Sequence, residues 1–246
     1  MIFNPYGLTL ALAFFIAFFL TSQRAKRRGL NSEFVWESLP WVLGFSLLGA
    51  RLYHVTNFYQ YYLSDPLLIP QVWLGGLGIW GGIGGGLLGL LVKFKNQRSK
   101  IKINKEGSTI PNFLTPNQLV SAYLDCAAPG IALAQAIGRL GNVWNGENLP
   151  YAYWEMATNL LIFFFLIFLE RFNLDAKVEP QRRETSGRLF FLYLLCYSTA
   201  RFVLEFFRLD SPWIFGPLTV AQWVSLIVIL IILGWFSWIR LKKDIG

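Results

Sequence analysis

Gly138-Arg-Leu-Gly-Asn-Val-Trp-Asn-Gly-Glu147 closes an apolar run that begins at Asp125 and continues Cys126-Ala-Ala-Pro-Gly-Ile-Ala-Leu-Ala-Gln-Ala-Ile137. If this run is a membrane helix, Gln135, Arg139 and Asn142 share one face, at spacings of four and three. An arginine at the centre of such a helix costs about 2.5–3.5 kcal/mol, and less near the interface. Two readings account for that cost. In one, Arg139 snorkels to the headgroups or pins the bundle through a buried pair. In the other, a guanidinium and two amides are aimed at an anionic group, most simply a phosphate.

Composition makes the membrane reading general. The chain has 246 residues, 54% of them hydrophobic and 15% charged, the balance of an integral membrane protein. Apolar runs of membrane-crossing length recur near 5–21, 36–59, 72–93, 118–142, 152–170, 188–208 and 217–239. The expected fold is therefore an all-α integral membrane protein with seven transmembrane helices in a single polytopic domain over residues 1–246. No internal repeat or heptad register interrupts it.

The formal net charge is +8, but its distribution excludes nucleic acid as a needed partner. Arg24, Lys26, Arg27 and Arg28 follow the first run, and six lysines and arginines lie between Lys93 and Lys105. Arg171, Lys177, Arg182, Arg183 and Arg188 surround the next basic segment, and Arg240, Lys242 and Lys243 close the chain. The loops near 60–71 and 143–151 carry neither residue type. The positive-inside rule then puts the N-terminus outside, the C-terminus in the cytoplasm, residues 94–117 in a cytoplasmic loop and 143–151 in a short extracytoplasmic one. The basic cluster follows the first apolar run instead of preceding it, so that run reads as a retained helix, not a signal peptide.

Few residues offer redox or metal chemistry. Cys126 and Cys196 fall inside expected helices and read as packing residues. His54, the single histidine, has no ligand partners at useful spacing, so no metal is assigned. Tyr6 sits where an aromatic belt residue would. Arg51, in Gly49-Ala-Arg-Leu-Tyr-His54, lies toward the outer end of the second run and can snorkel. Gly75-Gly-Leu-Gly-Ile-Trp-Gly-Gly-Ile-Gly-Gly-Gly86 is tolerable in a membrane where helices approach closely or backbone lines a cavity. Glu155 has no partner in the local sequence, so it lies near the interface or pairs from another helix.

A second charged constellation lies in the sixth run. Tyr193, Tyr197, Arg201, Glu205 and Arg208 are spaced 4, 4, 4 and 3, which puts all five on one helical face. Arg201 and Glu205 can pair with each other. With the assigned orientation, Arg51, Arg139, Arg201 and Arg208 all fall in the outer half of the bilayer, together with Trp80. Such a level of positive side chains suits an anionic lipid headgroup.

These segments resemble the bacterial prolipoprotein diacylglyceryl transferases. The resemblance is carried by Gly138 to Glu147, Tyr6-Gly7, Gly49-Ala-Arg51-Leu, Gly75-Gly-Leu-Gly-Ile-Trp80-Gly-Gly82, Tyr197-Ser-Thr-Ala-Arg201-Phe-Val-Leu-Glu205-Phe-Phe-Arg208 and Leu218-Thr-Val-Ala-Gln222, in the same order along nearly the whole chain. It implies transfer of the diacylglyceryl group of phosphatidylglycerol to the lipobox cysteine thiol of a preprolipoprotein, the first step of bacterial lipoprotein maturation, in the cell inner membrane. No cofactor is implied, because the nucleophile belongs to the substrate. The implied catalytic residues are Arg139, Arg201, Glu205 and Tyr6, with Glu147 and Glu205 orienting the arginines. Phosphatidylglycerol would be bound by Arg139, Asn142, Asn145, Gly146, Glu147, Arg201, Arg208, Arg51 and Trp80. Trp80 stands where many members have a histidine, and the segment after Glu147 is shorter than usual. Two rival readings are a non-catalytic phospholipid-binding relative and a small anion or lipid transporter, the latter expected to show repeats about a midplane site.

Overall fold

The computed structural model describes residues 5–72, 75–103, 116–147, 149–175, 187–208, 213–215 and 218–245. Helices dominate: α1 (Pro5–Arg27), α2 (Ser32–Asn57), α3 (Tyr59–Ser64), α4 (Ile79–Ile103), α5 (Pro116–Trp144), α6 (Tyr151–Asp175), α7 (Arg188–Leu204) and α8 (Val220–Ile245). A short antiparallel pair, β1 (Trp213–Phe215) and β2 (Leu218–Thr219), leads into α8, with Trp213 opposite Thr219 and Phe215 opposite Leu218.

Among the described residues, five stretches are long and apolar enough to cross a membrane: Gly7–Arg27, Gln118–Trp144, Tyr151–Arg171, Arg188–Phe207 and Val220–Ser237. The other two expected runs are also helical, α2 with 26 residues and α4 with 25, about 39 and 37 Å at the ordinary helical rise. Their composition holds them back. α2 carries Glu33, Glu37, Arg51 and His54, and α4 joins a glycine-rich half to a lysine-bearing one. Composition thus marks five spans where hydropathy runs predicted seven. The third run also starts later than its expected residue 72. Gly75 and Gly76 have φ of 88° and 69°, which a right-handed helix cannot accommodate, so α4 begins at Ile79. α4 then continues through Ile103, well into the expected 94–117 loop; residues 104–115 lie outside the described set.

The chain divides into two compact units, residues 1–25 with 114–246, and residues 26–113. In the smaller unit, α2 and α4 meet backbone to backbone. A Cβ on Gly49 would run into the Gly81 carbonyl, and one on Gly81 into the Gly49 carbonyl, so neither position has room for a side chain. Lys93 pairs with Glu37 at 2.7 Å and Phe34 packs against Phe94 at 4.7 Å, fixing the same two helices further along.

The larger unit holds α1, α5, α6, α7 and α8. α5 presents small residues inward: Ala122, Ala128, Ala132 and Ala136 are all buried, which lets neighbouring helices approach. Ala128 and Ala132 join Ile162, Leu166 and Tyr193 in one core of α5, α6 and α7. Gly130 lies against Ala17 and Thr21 of α1. At this end of α5, buried Arg24 pairs with Glu170 and donates to the Cys126 carbonyl at 2.9 Å, while the Asp125 carboxylate accepts the Phe190 amide at 2.8 Å. Four helices are tied there by polar contacts.

Candidate functional site

The other end of α5 owes its shape to the sequence that ends it. Gly146 is in the left-handed region with φ of 68°. Its amide donates to the Val143 carbonyl at 3.1 Å, and the Glu147 amide donates to the Asn142 carbonyl at 2.9 Å. That pair of bonds is a Schellman cap, and it needs a residue without Cβ strain at Gly146. The cap folds Glu147 back over the last turn. Its carboxylate accepts from Asn142 Nδ2 at 3.1 Å and from Asn145 Nδ2 at 3.4 Å. Asn142 Oδ1 in turn accepts from Arg139 Nη1 at 3.3 Å.

Arg139 reaches its carboxylate on α6. Its Nε lies 2.7 Å from Glu155 Oε2. The approach has ion-pair distance without hydrogen-bond alignment, and that oxygen receives no aligned donor. Glu155 Oε1 accepts from Arg201 Nη1 at 2.8 Å and from the Tyr151 hydroxyl at 3.2 Å. Arg201 Nη1 also donates to the Tyr151 oxygen, and Arg201 Nη2 lies 3.0 Å from Glu205 Oε2. Glu155 and Glu205 are both buried, at 4% and 3% exposure, whereas the Arg139 side chain is 31% exposed. The hydrogen bond of Arg139 among the described residues is made through Nη1, and its side chain is partly exposed.

Glu205 is held from α8 by a local motif. Thr219 precedes the first residue of α8. Its Oγ accepts the Gln222 amide at 3.3 Å, while Gln222 Oε1 accepts the Thr219 amide at 2.9 Å. This reciprocal arrangement is a capping box. The Thr219 hydroxyl donates to Glu205 Oε1 at 3.3 Å, so the start of α8 fixes the partner of Arg201. The Thr-x-x-Gln spacing in Leu218-Thr-Val-Ala-Gln222 is the sequence signal for it.

The expected face of α7 holds for four of its five residues. Tyr193 donates to Gln135 at 3.1 Å and stacks on Tyr197 at 6.0 Å, with Arg201 and Glu205 following. Beyond Leu204 the helix tightens into a 3-10 turn, Glu205–Phe207, and Arg208 has extended backbone with ψ of 122°. Its guanidinium nevertheless lies 5.6 Å from the centre of the Tyr151 ring.

Of the expected site residues, Arg139, Arg201, Glu205 and Arg208 meet Glu155 or Tyr151, while Asn142, Asn145, Gly146 and Glu147 adjoin Arg139 at the end of α5. The side chains of Tyr6 and Trp80 lie outside the described residues. Arg51 belongs to the smaller unit and is committed to backbone. It donates to the carbonyls of Ile69 at 2.8 Å, Gly75 at 2.6 Å, Gly76 at 3.1 Å and Leu68, and it stacks 5.1 Å from the Tyr62 ring. Those contacts tie Arg51 of α2 to residues 68–69 and 75–76 of the same unit. The resemblance gave Glu147 and Glu205 the orienting of the arginines; Glu147 is linked to Arg139 through Asn142, and Glu155 lies directly beside it. Tyr151 was missed, since nothing in its local sequence marks it.

The sequence model of prolipoprotein diacylglyceryl transferases matches residues 2–238. Among curated proteins, the chain is similar to phosphatidylglycerol–prolipoprotein diacylglyceryl transferases of Prochlorococcus marinus strain MIT 9301 (29% identical, covering 98% of this chain and 90% of the relative) and Staphylococcus carnosus strain TM300 (28%, 96% and 86%). A third, from Streptococcus mutans serotype c, is 29% identical over 92% of this chain and 86% of its own length.

Proposed function

The chain belongs to the prolipoprotein diacylglyceryl transferase family, and on that premise we propose that it transfers the diacylglyceryl group of phosphatidylglycerol to the lipobox cysteine of preprolipoproteins. One observation carries the placement of the lipid. Two guanidiniums, Arg139 and Arg201, converge on the buried Glu155 carboxylate, with the Arg208 guanidinium over the adjoining Tyr151 ring, a gathering of positive groups that suits a phosphodiester monoanion. Guanidinium and phosphate suit each other through paired, charge-assisted hydrogen bonds.

In this reading the cysteine thiolate attacks the glyceryl carbon. The C–S bond forms as the C–O bond to phosphate breaks, giving a thioether and glycerol phosphate with release of the thiol proton. Charge grows on the departing phosphate, and preorganised guanidiniums stabilise it there. Arg139 and Arg201 hold the phosphate, Asn142 and Asn145 shape its edge, Gly146 sets the cap that presents them, Glu205 orients Arg201, and Tyr6 lines the lipid. We further propose seven crossing helices with the N-terminus outside and the C-terminus cytoplasmic, in the bacterial inner membrane. The one-sided placement of lysine and arginine supports that orientation.

Purified protein, phosphatidylglycerol and a synthetic lipobox peptide test the reading, with glycerol phosphate as readout. Release that needs both the peptide's cysteine and Arg139 is expected. Tight lipid binding with no release would mean a phospholipid-binding relative without turnover.

A further inference from the structure

We infer that Glu155 is a positioning residue, the shared counter-ion that holds Arg139 and Arg201 at the separation the lipid phosphate requires. This rests on the phosphate reading above, and the site residues implied by resemblance do not include Glu155.

Arg139 comes from α5 and Arg201 from α7, and two guanidiniums brought together in a low-dielectric bundle repel unless a negative charge lies between them. Glu155 lies between them. One oxygen takes Arg201 at 2.8 Å and the other meets Arg139 at 2.7 Å. No other carboxylate among the described residues touches both. Glu205 pairs with Arg201, and Glu147 is linked to Arg139 through Asn142.

The quality of the two contacts differs, and the difference points to function. Arg201 makes an aligned bond, reinforced by Tyr151, whereas Arg139 sits at contact distance but off axis. Glu155 therefore fixes where Arg139 stands without consuming its best donors. The Arg139 side chain stays partly exposed. A phosphate arriving at that edge finds a guanidinium already placed and already neutralised from behind. Both Glu155 oxygens face the arginines, so the residue acts through them.

The test separates placement from binding. Glu155→Gln keeps the shape and removes the charge, so phosphatidylglycerol in nanodiscs should bind at least as tightly as to the unaltered protein. Misplaced arginines should lower kcat about 100-fold, the scale of an ångström-level displacement. Glu155→Asp, with the charge withdrawn by one methylene, should recover part of kcat and is the variant to read if the glutamine form does not fold. Unchanged kcat in either folded variant would overturn the inference, as would parallel loss of binding and kcat, which marks a simple lipid contact or scaffold. If the unaltered protein releases no glycerol phosphate, the transferase reading fails by itself. The positioning role is then judged by binding alone, where weaker binding of phosphatidylglycerol by Glu155→Gln than by the unaltered protein would overturn it.

Discussion

The two ends of α5 carry buried arginine clusters built from the same parts and finished differently. Near its start, Arg24 is 6% exposed, pairs with Glu170 and donates to main-chain carbonyls of α5. Near its finish, Arg139 pairs with Glu155 and Asn142 and is 31% exposed. Both clusters overcome the cost of an arginine among apolar helices by pairing. The second leaves its arginine partly exposed where the first is closed over. An arginine whose donors end on backbone is part of the scaffold, and one stabilised from behind with an open edge can hold a ligand. Arg51, with its donors spread over the carbonyls of Leu68, Ile69, Gly75 and Gly76, falls with Arg24.

The largest effect should come from the open arginine. Arg139→Ala is expected to lower glycerol phosphate release about 1,000-fold, the upper range for removing one preorganised donor from a charge-developing site. Its melting temperature should stay within a few degrees of the unaltered value, because the side chain is partly solvated. A large fall in melting temperature with normal turnover of the surviving protein would reverse the assignment and make this cluster the scaffold.

Arg24→Ala should behave the other way round. Removing one partner of a buried pair costs about 3–5 kcal/mol, on the order of 10 °C in melting temperature for a chain of this size. Glu170 is left behind with its charge, while the lipid-holding cluster is untouched. Turnover per folded molecule at low temperature is expected to be preserved. If turnover instead falls as far as for Arg139→Ala, the two ends of α5 are not functionally distinct.

A smaller stability effect is expected at Gly130, on the closed side of the helix. A Cβ there would stand 2.9 Å from the Ala17 carbonyl of α1. Backbone cannot swing aside, so Gly130→Ala should lose about 1–3 kcal/mol through overpacking. Thermal melts in detergent would measure it, and an unchanged melting temperature would show that α1 and α5 are not clamped at this point.

How much of this was legible in the sequence differs along the chain. Helical periodicity placed Gln135, Arg139 and Asn142 together, as it did Tyr193, Tyr197, Arg201 and Glu205, because those relations are local. Glu155 was legible only as a charge in need of a partner. The arginine that completes it lies 46 residues further on, and nothing short of the fold brings α6 to α7. The partners of Arg51 were hidden for a related reason: its acceptors are main-chain carbonyls, which carry no sequence signature. The missing apolar spans have a simpler origin. Glycine packs α2 on α4 well but contributes little hydropathy, so α4 looks weaker by composition than its close packing suggests.

Gly138 should show the smallest effect. It opens the motif that decided the fold, yet nothing lies within 4 Å of where its Cβ would be. It stands one turn before Asn142, on the side of α5 that carries the open arginine. No protein neighbour requires glycine there, and glycine inside a helix is a liability of about 1 kcal/mol relative to alanine. Gly138→Ala should therefore raise the melting temperature by about 2–4 °C, in contrast to the fall expected for Gly130→Ala eight positions earlier. The bulkier Gly138→Leu fills the same space and should raise KM for phosphatidylglycerol while leaving the melting temperature unchanged. A rise in KM would identify the space beside Arg139 as the lipid's. A fall in melting temperature for the alanine form would mean that protein packs there after all, and this end of α5 would be as closed as the other.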